Sequence, residues 1–376
     1  MFERARLVPR LLWAGLAVLL LIAPFFLGEF WEQAALFAMA GIIGAIGLTI
    51  LTGTTGQLSL AHAFFAAVGA YGYCYFVGHE TVGVEKVAGL GLPPLLAMVL
   101  AVALAGLCGA LFSPIAGRLR GIYLGIASIG LVFIGQHLLF NATGLTGGFN
   151  GRDAEPFSLL GFQFAQGHPD LTIGGTEFGE LEKLWYLGLA LVALSYLFAR
   201  NVVGGRPGRA LEGVRDSEVA AAVMGVDPIR YKAAAFTLSS MYAGLAGVLF
   251  ALVFGRIVPN TFGFPLSVDF LAMIVLGGLG SIRGAALGAI FVSLLPRVLD
   301  HYSGSLPLVD DSGGGGLQPS QAARLVYGFF VIAVLLYLPG GLAGVGERLK
   351  RRRRPGQPAA APTGARRTST ELKETT

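Results

Sequence analysis

Ten apolar segments alternate with polar or charged stretches along the chain. An α-helix needs about 20 mainly apolar residues to cross the hydrocarbon core of a bilayer, and most of the segments approach that length. The segments cover residues 11–28, 34–52, 59–78, 92–115, 121–140, 184–200, 232–254, 268–280, 284–300 and 322–338. The pattern predicts an all-α polytopic membrane protein with about ten transmembrane or re-entrant helices.

Glycine-rich breaks interrupt this pattern near residues 53–58 and 277–284. Taken as one helix, residues 268–300 would be about 50 Å long against a hydrocarbon core of about 30 Å. The run GGLGSIRG from Gly277 to Gly284 therefore predicts a division into two helices. Whether the two halves each cross the membrane or dip in and out of it stays open at this stage.

The composition agrees with a chain that is mostly embedded in lipid. Of the 376 residues, 54% are hydrophobic and 13% are charged, well below the share of about 25% in soluble domains. The apolar segments leave no room for a soluble catalytic domain, so residues 1–346 are predicted to form one membrane domain. The basic start of the chain resembles a signal peptide, but its apolar run of about eighteen residues fits a spanning helix better.

Positive charge is concentrated on one face of the ten-helix arrangement. Basic residues crowd the N-terminus, the turn 116–120, the segment 200–232 and the tail, whereas the loop 141–183 holds two of them beside six acids. The positive-inside rule makes the basic face cytoplasmic, with both termini there and the loop 141–183 extracytoplasmic. The tail 347–376 is predicted to be disordered and to contact anionic lipid, with nucleic acid as a poor alternative.

The stretch GTTGQLSLAHAFF from Gly53 places polar side chains in an otherwise apolar region. Unwound backbone at membrane depth is tolerated where protein or a watery cavity satisfies its polar groups, and such breaks commonly build transporter binding sites. On this interpretation Gln57, Ser59 and His62 face a cavity. The alternative is that Thr55 and Ser59 cap the next helix and that His62 bonds a neighbouring helix.

Gly280, Gly284 and Gly288 recur every four residues in the run GGLGSIRGAALGA. On a helix this spacing makes one stripe without side chains, which favours close helix packing. The functional alternative is a second half-helix that faces the break at 53–58, as broken segments in the two halves of a transporter do.

The segment GRPGRALEGVRDSEVAAAVMGVDPIRYK is too polar to cross a membrane. Pro207 and Pro228 bracket a helix-compatible run, residues 207–228, whose charged residues remain solvated. Such a helix either lies on the membrane surface, docks on another protein or is a solvated connection. Its apolar residues, predicted to share one face, are Leu211, Val214, Val219, Ala222 and Val223.

Signatures of enzymatic chemistry are absent from the sequence. It has no phosphate-binding lysine loop, no H-E-x-x-H motif and no Cys/His spacing typical of a metal site. The chain is therefore predicted not to be an enzyme and to bind no metal or cofactor itself. If transport is driven by ATP, a partner protein has to bind the nucleotide.

Four motifs, in this order, resemble the inner-membrane permeases of the branched-chain amino-acid ABC importers, more the M-type than the H-type subunit. They are GTTGQLSLAHAFFAAVGAYGY, TGGFNG from Thr146, GRALEGVRDSEVAAAVMGVDPIRYKAAAFTLSSMYAGLAGVLFA and DFLAMIVLGGLGSIRGAALGA. The resemblance covers about residues 35–345. It implies a bacterial plasma-membrane heterodimer with a sister permease, two cytoplasmic ATPase subunits that bind ATP and Mg²⁺, and an extracytoplasmic substrate-binding protein.

The resemblance also implies roles for residues. Substrates in such importers include branched-chain and other amino acids, urea, short amides and small carboxylates, and nothing in the sequence selects among them. Segment 207–228 becomes the coupling helix that seats in the ATPase cleft, and its predicted coupling residues are Arg209, Arg215, Glu218, Ala221, Met224 and Gly225. The predicted substrate pathway combines both breaks with the TGGFNG motif: Thr55, Gln57, Ser59, His62, Thr146, Gly147, Gly148, Asn150, Gly277, Gly278 and Gly280.

The competing hypothesis is a stand-alone secondary transporter coupled to ions or protons. It calls for an acidic residue buried in the middle of the membrane. The predicted spans hold essentially none, with Asp269 placed near a helix end, so the ATP-driven importer is preferred.

Overall fold

The computed structural model describes residues 15–80, 87–119, 121–159, 162–164, 172–173, 176–177, 179–302, 319–337 and 341–344. Over this part of the chain the protein is an α-helical bundle, and the predicted all-α polytopic membrane class is confirmed. The predicted disordered tail at 347–376 lies outside the described residues.

Each of the ten predicted apolar segments corresponds to a helix. Six of the described helices, α2, α4, α5, α7, α10 and α12, are long and apolar enough to cross a membrane. The helices are α1 (Gly15–Phe25), α2 (Glu29–Leu48), α3 (His62–Val77), α4 (Pro94–Arg118), α5 (Ile122–Asn141), α6 (Thr143–Thr146), α7 (Glu180–Gly204), α8 (Arg206–Asp216), α9 (Glu218–Val223), α10 (Pro228–Phe254), α11 (Phe264–Gly277), α12 (Ile282–His301) and α13 (Pro319–Tyr337).

Short strands lie in the connections after α5 and α10. Every described strand has two residues and pairs with one antiparallel partner: β1 (Arg152–Asp153) with β6 (Arg256–Ile257), β2 (Ser158–Leu159) with β3 (Phe162–Gln163), and β4 (Thr172–Ile173) with β5 (Thr176–Glu177). The β1–β6 pair ties the loop after α5 to the loop after α10.

Helices α2 and α10 form the centre of the bundle. Helix α2 packs against α7, α10, α11 and α12, while α10 packs against α3 and α4. Small residues allow the close approach: a Cβ at Gly69 of α3 would clash with the backbone of Gly244 of α10, and one at Gly247 with the Ala66 carbonyl. Such small-residue contacts are the usual basis of helix association in lipid.

Both predicted breaks are present in the backbone. Helix α2 ends in a π-helical turn, Thr49–Gly53, and the chain is non-helical from Gly56 to Ala61 before α3 begins. Helix α11 has 14 residues, which makes it about 21 Å long and too short to cross a core of about 30 Å. It ends at Gly277, and a turn leads directly into α12.

The single coupling helix predicted over 207–228 is wrong in detail. The segment forms two helices, α8 and α9, which divide at Ser217, whose side chain accepts a hydrogen bond from the Ala220 amide as an N-cap. The predicted common apolar face is wrong for the same reason. Leu211 and Val214 of α8 are buried, whereas the apolar residues of α9, apart from Ala221, are exposed.

Candidate functional site

The two backbone breaks contact each other. A Cβ added at Gly53 would lie 2.7 Å from the Gly280 Cα, so neither chain could approach as closely with a side chain there. Gly280 has a φ of +83°, a conformation that glycine adopts without strain. The contact between Gly53 and Gly280, here called the junction, agrees with the hypothesis that the second break faces the first.

Arg215 of α8 holds the Gly53 side of the junction. Its Nη1 donates a hydrogen bond of 2.7 Å to the Gly53 carbonyl, and a Cβ at Gly56 would lie 3.1 Å from its Cγ. The π-helical turn and the extended residues after it leave backbone carbonyls without regular helical partners. The guanidinium therefore donates a charge-assisted hydrogen bond to a carbonyl that has no helical partner because of the break.

A small apolar core joins α8 to the same region. Leu211 packs in one cluster with Leu51 before the break and Ala61 after it. Helix α8 is thus attached to the break by the buried side chain of Leu211 as well as by Arg215.

The polar residues of the first break are buried. Relative exposures are 5% for Thr55, 6% for Gln57, and 1% for both Ser59 and His62. The Thr55 hydroxyl donates to the Leu51 carbonyl at 2.6 Å, and Gln57 Nε2 donates to the Ala116 carbonyl at 3.1 Å. These groups satisfy backbone in this conformation, and their predicted role in the substrate pathway stays a prediction.

The alternative that Thr55 and Ser59 cap α3 is wrong, because the N-cap residue is Ala61 and it carries no side-chain cap. Ser59 Oγ accepts from the Ala61 amide at 3.3 Å, but the Ala63 amide donates to Ser267 Oγ of α11 at 3.0 Å. The start of α3 is thus satisfied in part from across the bundle. His62 does contact a neighbouring helix, since its Nε2 lies 3.4 Å from Ser239 Oγ of α10.

The glycine stripe has two functions in the fold. Gly284 and Gly288 of α12 pack against the backbone of Gly277 and Met273 in α11, which confirms the packing interpretation for these two positions. Gly280 lies in the connecting turn instead of on the helical stripe, and there it contacts Gly53. Gly277 and Gly278 form the α11 side of the same turn.

The TGGFNG motif lies far from the junction, at the opposite end of the helices. Thr146 Oγ1 donates to the Leu139 carbonyl at 2.6 Å, which holds the turn. Gly147 and Asn150 line an open cavity of about 320 Å³. The predicted pathway residues therefore divide between two ends of the bundle, and the structure does not bring them into one site.

Arg152 organises this outer cavity. Its Nη1 donates to the carbonyls of Ala88 and Leu145 at 2.7 and 2.8 Å. Burial lowers the pKa of the Arg152 guanidinium below its usual range. Arg256 Nη1 lies 3.2 Å from Asp153 Oδ1, so Arg152, Arg256 and the carboxylate that pairs with Arg256 border the opening.

The outer face of α9 is an exposed apolar surface. Val219 is 76% exposed, and Val223 and Met224 are both 84% exposed. These three residues are here called the α9 patch. Ala221, by contrast, is buried against the chain itself, so a bulky residue there would first disturb this protein. Gly225 has open space around its Cα and a φ of +84°.

Glu218 faces inward and fixes α9 to α10. Its Oε1 lies 2.5 Å from Nζ of Lys232, and the two side chains are 31% and 6% exposed. The geometry gives Glu218 a role in positioning the α9 patch, which differs from the expected direct contact with an ATPase. Arg209 is exposed on α8.

Replacing Glu218 with glutamine should lower the thermal stability of the permease, because the buried Lys232 ammonium loses its counter-charge. Removing one partner of a buried pair costs about 3–5 kcal/mol, and the partial exposure of Glu218 reduces the expected loss to about 1–3 kcal/mol. The double variant with Lys232→Met removes both charges and should regain most of the loss. Thermal unfolding in detergent checks this cycle, and additive effects of the two changes would contradict it.

Charged residues lie within the apolar helices α11 and α12, where the sequence interpretation expected essentially none. Asp269 lies within α11, five residues after its start, and shares a cavity with Arg297 of α12. The placement of Asp269 near a helix end was therefore misleading, and Arg297 was missed. An ionisable residue within an apolar segment is itself the signal that marks such a site.

Within the described residues, no group of three or more His, Cys, Asp or Glu side chains is arranged to hold a metal ion. The expectation that this chain binds neither metal nor cofactor stays a prediction.

A helical membrane bundle with two broken segments in contact, and with charged groups within its apolar helices, belongs to the class of polytopic membrane transport proteins. Within that class the chain belongs to the family of branched-chain amino acid transport system permease components, whose family model matches residues 31–335. The resemblance drawn from the four motifs is confirmed.

Individual relatives agree with this assignment. The chain is 33% identical to the high-affinity branched-chain amino acid transport system permease protein LivM of Escherichia coli, over 89% of this chain and 74% of that protein. It is 26% identical to the corresponding LivH permease protein of Escherichia coli, over 85% of this chain and 96% of that one. The autoinducer 2 import system permease protein LsrC of Klebsiella pneumoniae is 35% identical over 37% of this chain and 42% of its own length. No solved structure matches the chain.

Proposed function

We propose that this chain is the membrane-spanning permease subunit of an ATP-driven ABC importer. Its substrates are branched-chain or related amino acids, with urea, short amides and small carboxylates as the other classes in the wider family. The observation that carries the proposal is the hydrogen bond from Arg215 to the Gly53 carbonyl. It joins the segment expected to contact an ATPase to the point where the two broken helices meet.

The proposed mechanism is alternating access without a covalent step. The α9 patch sits in a cleft of a partner ATPase, and closure of the ATPases on ATP moves α9 together with α8. Arg215 and the apolar core around Leu211 carry this movement to the junction. A packed interface of this kind switches between discrete arrangements, so a small displacement of α8 is expected to open or close the path past Gly53 and Gly280.

The proposed assembly has partners on both sides of the membrane. A sister permease completes the translocation path, and two ATPase subunits bind ATP and Mg²⁺ on the cytoplasmic face. A substrate-binding protein docks at the opposite end, where the cavity beside Arg152 opens. In this proposal both termini lie in the cytoplasm of a bacterial cell, and the arginine-rich α8–α9 end supports that orientation through the positive-inside rule.

Asp269 favours a second candidate, a stand-alone transporter coupled to ions or protons. A carboxylate inside a membrane helix is the feature that such a carrier requires. The α9 patch argues against it, since a carrier that acts alone has no use for an exposed apolar surface on its cytoplasmic side.

Reconstitution separates the two candidates. Proteoliposomes that contain this chain, its sister permease and the ATPases, with binding protein outside, should take up radiolabelled leucine only when ATP is present inside. Addition of a protonophore or a sodium ionophore should leave the uptake unchanged. Uptake by the permease alone, driven by an ion gradient and indifferent to ATP, would establish the carrier instead.

Single cysteines at Met224 and Phe149 should react with an impermeant thiol reagent from opposite sides of the membrane, in a background with Cys74 and Cys108 replaced by alanine. The two side chains are 84% and 81% exposed, so both are accessible to the reagent. The positive-inside rule places Met224 in the cytoplasm. Labelling of both positions from the same side of sealed vesicles would refute the proposed orientation.

A further inference from the structure

A cavity of about 290 Å³ lies between α2, α10, α11 and α12. Its volume is close to the lower limit of about 300 Å³ for ligand pockets, so it suits a small molecule such as a single amino acid. Most of its wall is apolar or aromatic, and it contains one basic and one acidic side chain, Arg297 and Asp269.

The two charged groups face the cavity without forming a direct salt bridge. Within the described residues, the partners of the Arg297 guanidinium are the Ser293 carbonyl, 2.8 Å from Nη1, and the Phe37 ring, whose centroid is 3.9 Å from Cζ. Asp269 Oδ1 accepts from the Tyr327 hydroxyl at 3.5 Å. Arg297 thus retains most of its five N–H donors, and the carboxylate of Asp269 retains most of its acceptor sites.

The remaining wall offers an apolar surface beside these charges. Phe37 and Phe254 have ring centroids 4.6 Å apart, and Met273 and Val292 close the deeper side. A branched aliphatic side chain would displace water from this surface on binding. The cavity therefore combines an anion partner, a cation partner and an apolar surface within the dimensions of one small molecule.

We propose that this cavity binds the transported molecule as a zwitterionic α-amino acid with an apolar side chain, its carboxylate on Arg297 and its ammonium group on Asp269. The inference rests on the proposed transport function and narrows its substrate class. Arginine presents a planar fork that matches a carboxylate, and Asp269 supplies the opposite charge for the ammonium group. Urea and amides would leave both charges uncompensated, and a simple carboxylate would face Asp269 with a like charge.

The cavity lies close to the junction, so it is suited to hold the substrate before the junction opens. Asp269 precedes Gly277, the last residue of α11, by eight residues, which places it about 12 Å along the helix from the turn that forms the junction. The same short helix thus carries a ligand group for the amino acid and leads directly into the turn whose Gly280 contacts Gly53. Substrate binding in the cavity is therefore linked to the junction through α11.

Direct binding to the purified complex tests the assignment. The complex of this chain with its sister permease and ATPases, without binding protein, is incubated with radiolabelled leucine in nanodiscs. Isocaproate, which lacks the ammonium group, and isoamylamine, which lacks the carboxylate, compete with the label. Both should compete at least tenfold less well than unlabelled leucine.

Arg297→Gln and Asp269→Asn should each weaken leucine binding at least tenfold. Arg118→Gln, which removes an exposed arginine at the far end of α4, is the matched control and should bind as the wild type does. Val292→Phe fills the cavity and leaves both charges in place, so it should also abolish binding. Gel filtration of each variant shows whether the complex is assembled.

Unchanged leucine affinity in assembled Arg297→Gln and Asp269→Asn complexes would overturn the assignment, as would absence of leucine binding to the wild-type complex. In either case ATP-driven uptake with the binding protein present would leave the importer function intact. Leucine binding that depends on both charges, in a complex that shows no ATP-driven uptake, would support the cavity and refute the proposed function.

Discussion

Replacing both Val223 and Met224 with aspartate will abolish ATP-driven uptake without unfolding the permease. Both side chains are 84% exposed, so the change costs the isolated chain little. In an ATPase cleft the two new charges would lose their hydration. Central interface residues contribute about 2 kcal/mol or more each, so the loss of either one should weaken association about thirtyfold and the loss of both should weaken it further. Co-purification with the ATPases and substrate-stimulated ATP hydrolysis in proteoliposomes measure the effect.

The matched control is the apolar pair Val223→Ile and Met224→Leu, which keeps the α9 patch hydrophobic and should retain both association and uptake. A second check is the yield of the heterodimer with the sister permease, which should be equal in all variants. Normal ATPase binding by the double aspartate variant would show that the α9 patch is not the docking surface.

Arg215→Gln should separate ATP hydrolysis from transport. The variant loses the charge-assisted hydrogen bond to the Gly53 carbonyl, and such bonds contribute about 1.5–3 kcal/mol. Uptake is expected to fall at least tenfold, because only the apolar contacts of Leu211 would still transmit the movement of α8 to the junction. ATP hydrolysis should continue, since the α9 patch is unaltered.

Two further variants of α8 serve as controls for this experiment. Glu212→Gln neutralises an exposed residue of the same helix and should transport normally. Arg215→Lys keeps a cationic donor on a shorter, less branched group and should restore part of the uptake. Equal uptake by Arg215→Gln and the wild type would mean that Arg215 only supports the fold.

Much of the bundle could be predicted because lipid constrains it strongly. A crossing requires a long apolar segment, and all ten such segments became helices. The residues at which the helices begin and end were less predictable. Helix α2 was expected to begin at residue 34, but it begins at Glu29 and includes Glu32, which is buried. Acidic residues suit the first turn of a helix, so polarity alone does not mark the boundary.

The sequence does contain a local signal for the division between α8 and α9, but the helical spacing of its apolar residues points to one continuous helix. Ser217 is a favourable N-cap, and the side-chain bond that it accepts starts a new helix. The spacing of the apolar residues on either side of Ser217 is compatible with one continuous helix. The helix break changes the direction of the following residues, which is why Val214 is buried and Val219 is exposed.

The candidate site depended on long-range contacts that no local pattern contains. Glycine content predicted both breaks, yet only the fold brings Gly53 beside Gly280 and Arg215 beside Gly53. Polar residues of the first break were expected to face either a cavity or a helix end. In the fold Thr55 donates to the Leu51 carbonyl of the same break, whereas Gln57 donates to the Ala116 carbonyl of α4, a partner that no local pattern can show.

The most direct test of the account is the accessibility of the first break in the working transporter. Gln57 is 6% exposed, so a cysteine there, with both native cysteines replaced, should react slowly with an impermeant thiol reagent added from the α8–α9 side. If nucleotide-driven movement of α8 reaches the junction, the reaction rate should differ at least tenfold between nucleotide-free and ATP-trapped complexes, and Arg215→Gln should remove the difference. Equal rates in both states of a complex that is active in uptake would contradict the coupling of α8 to the junction.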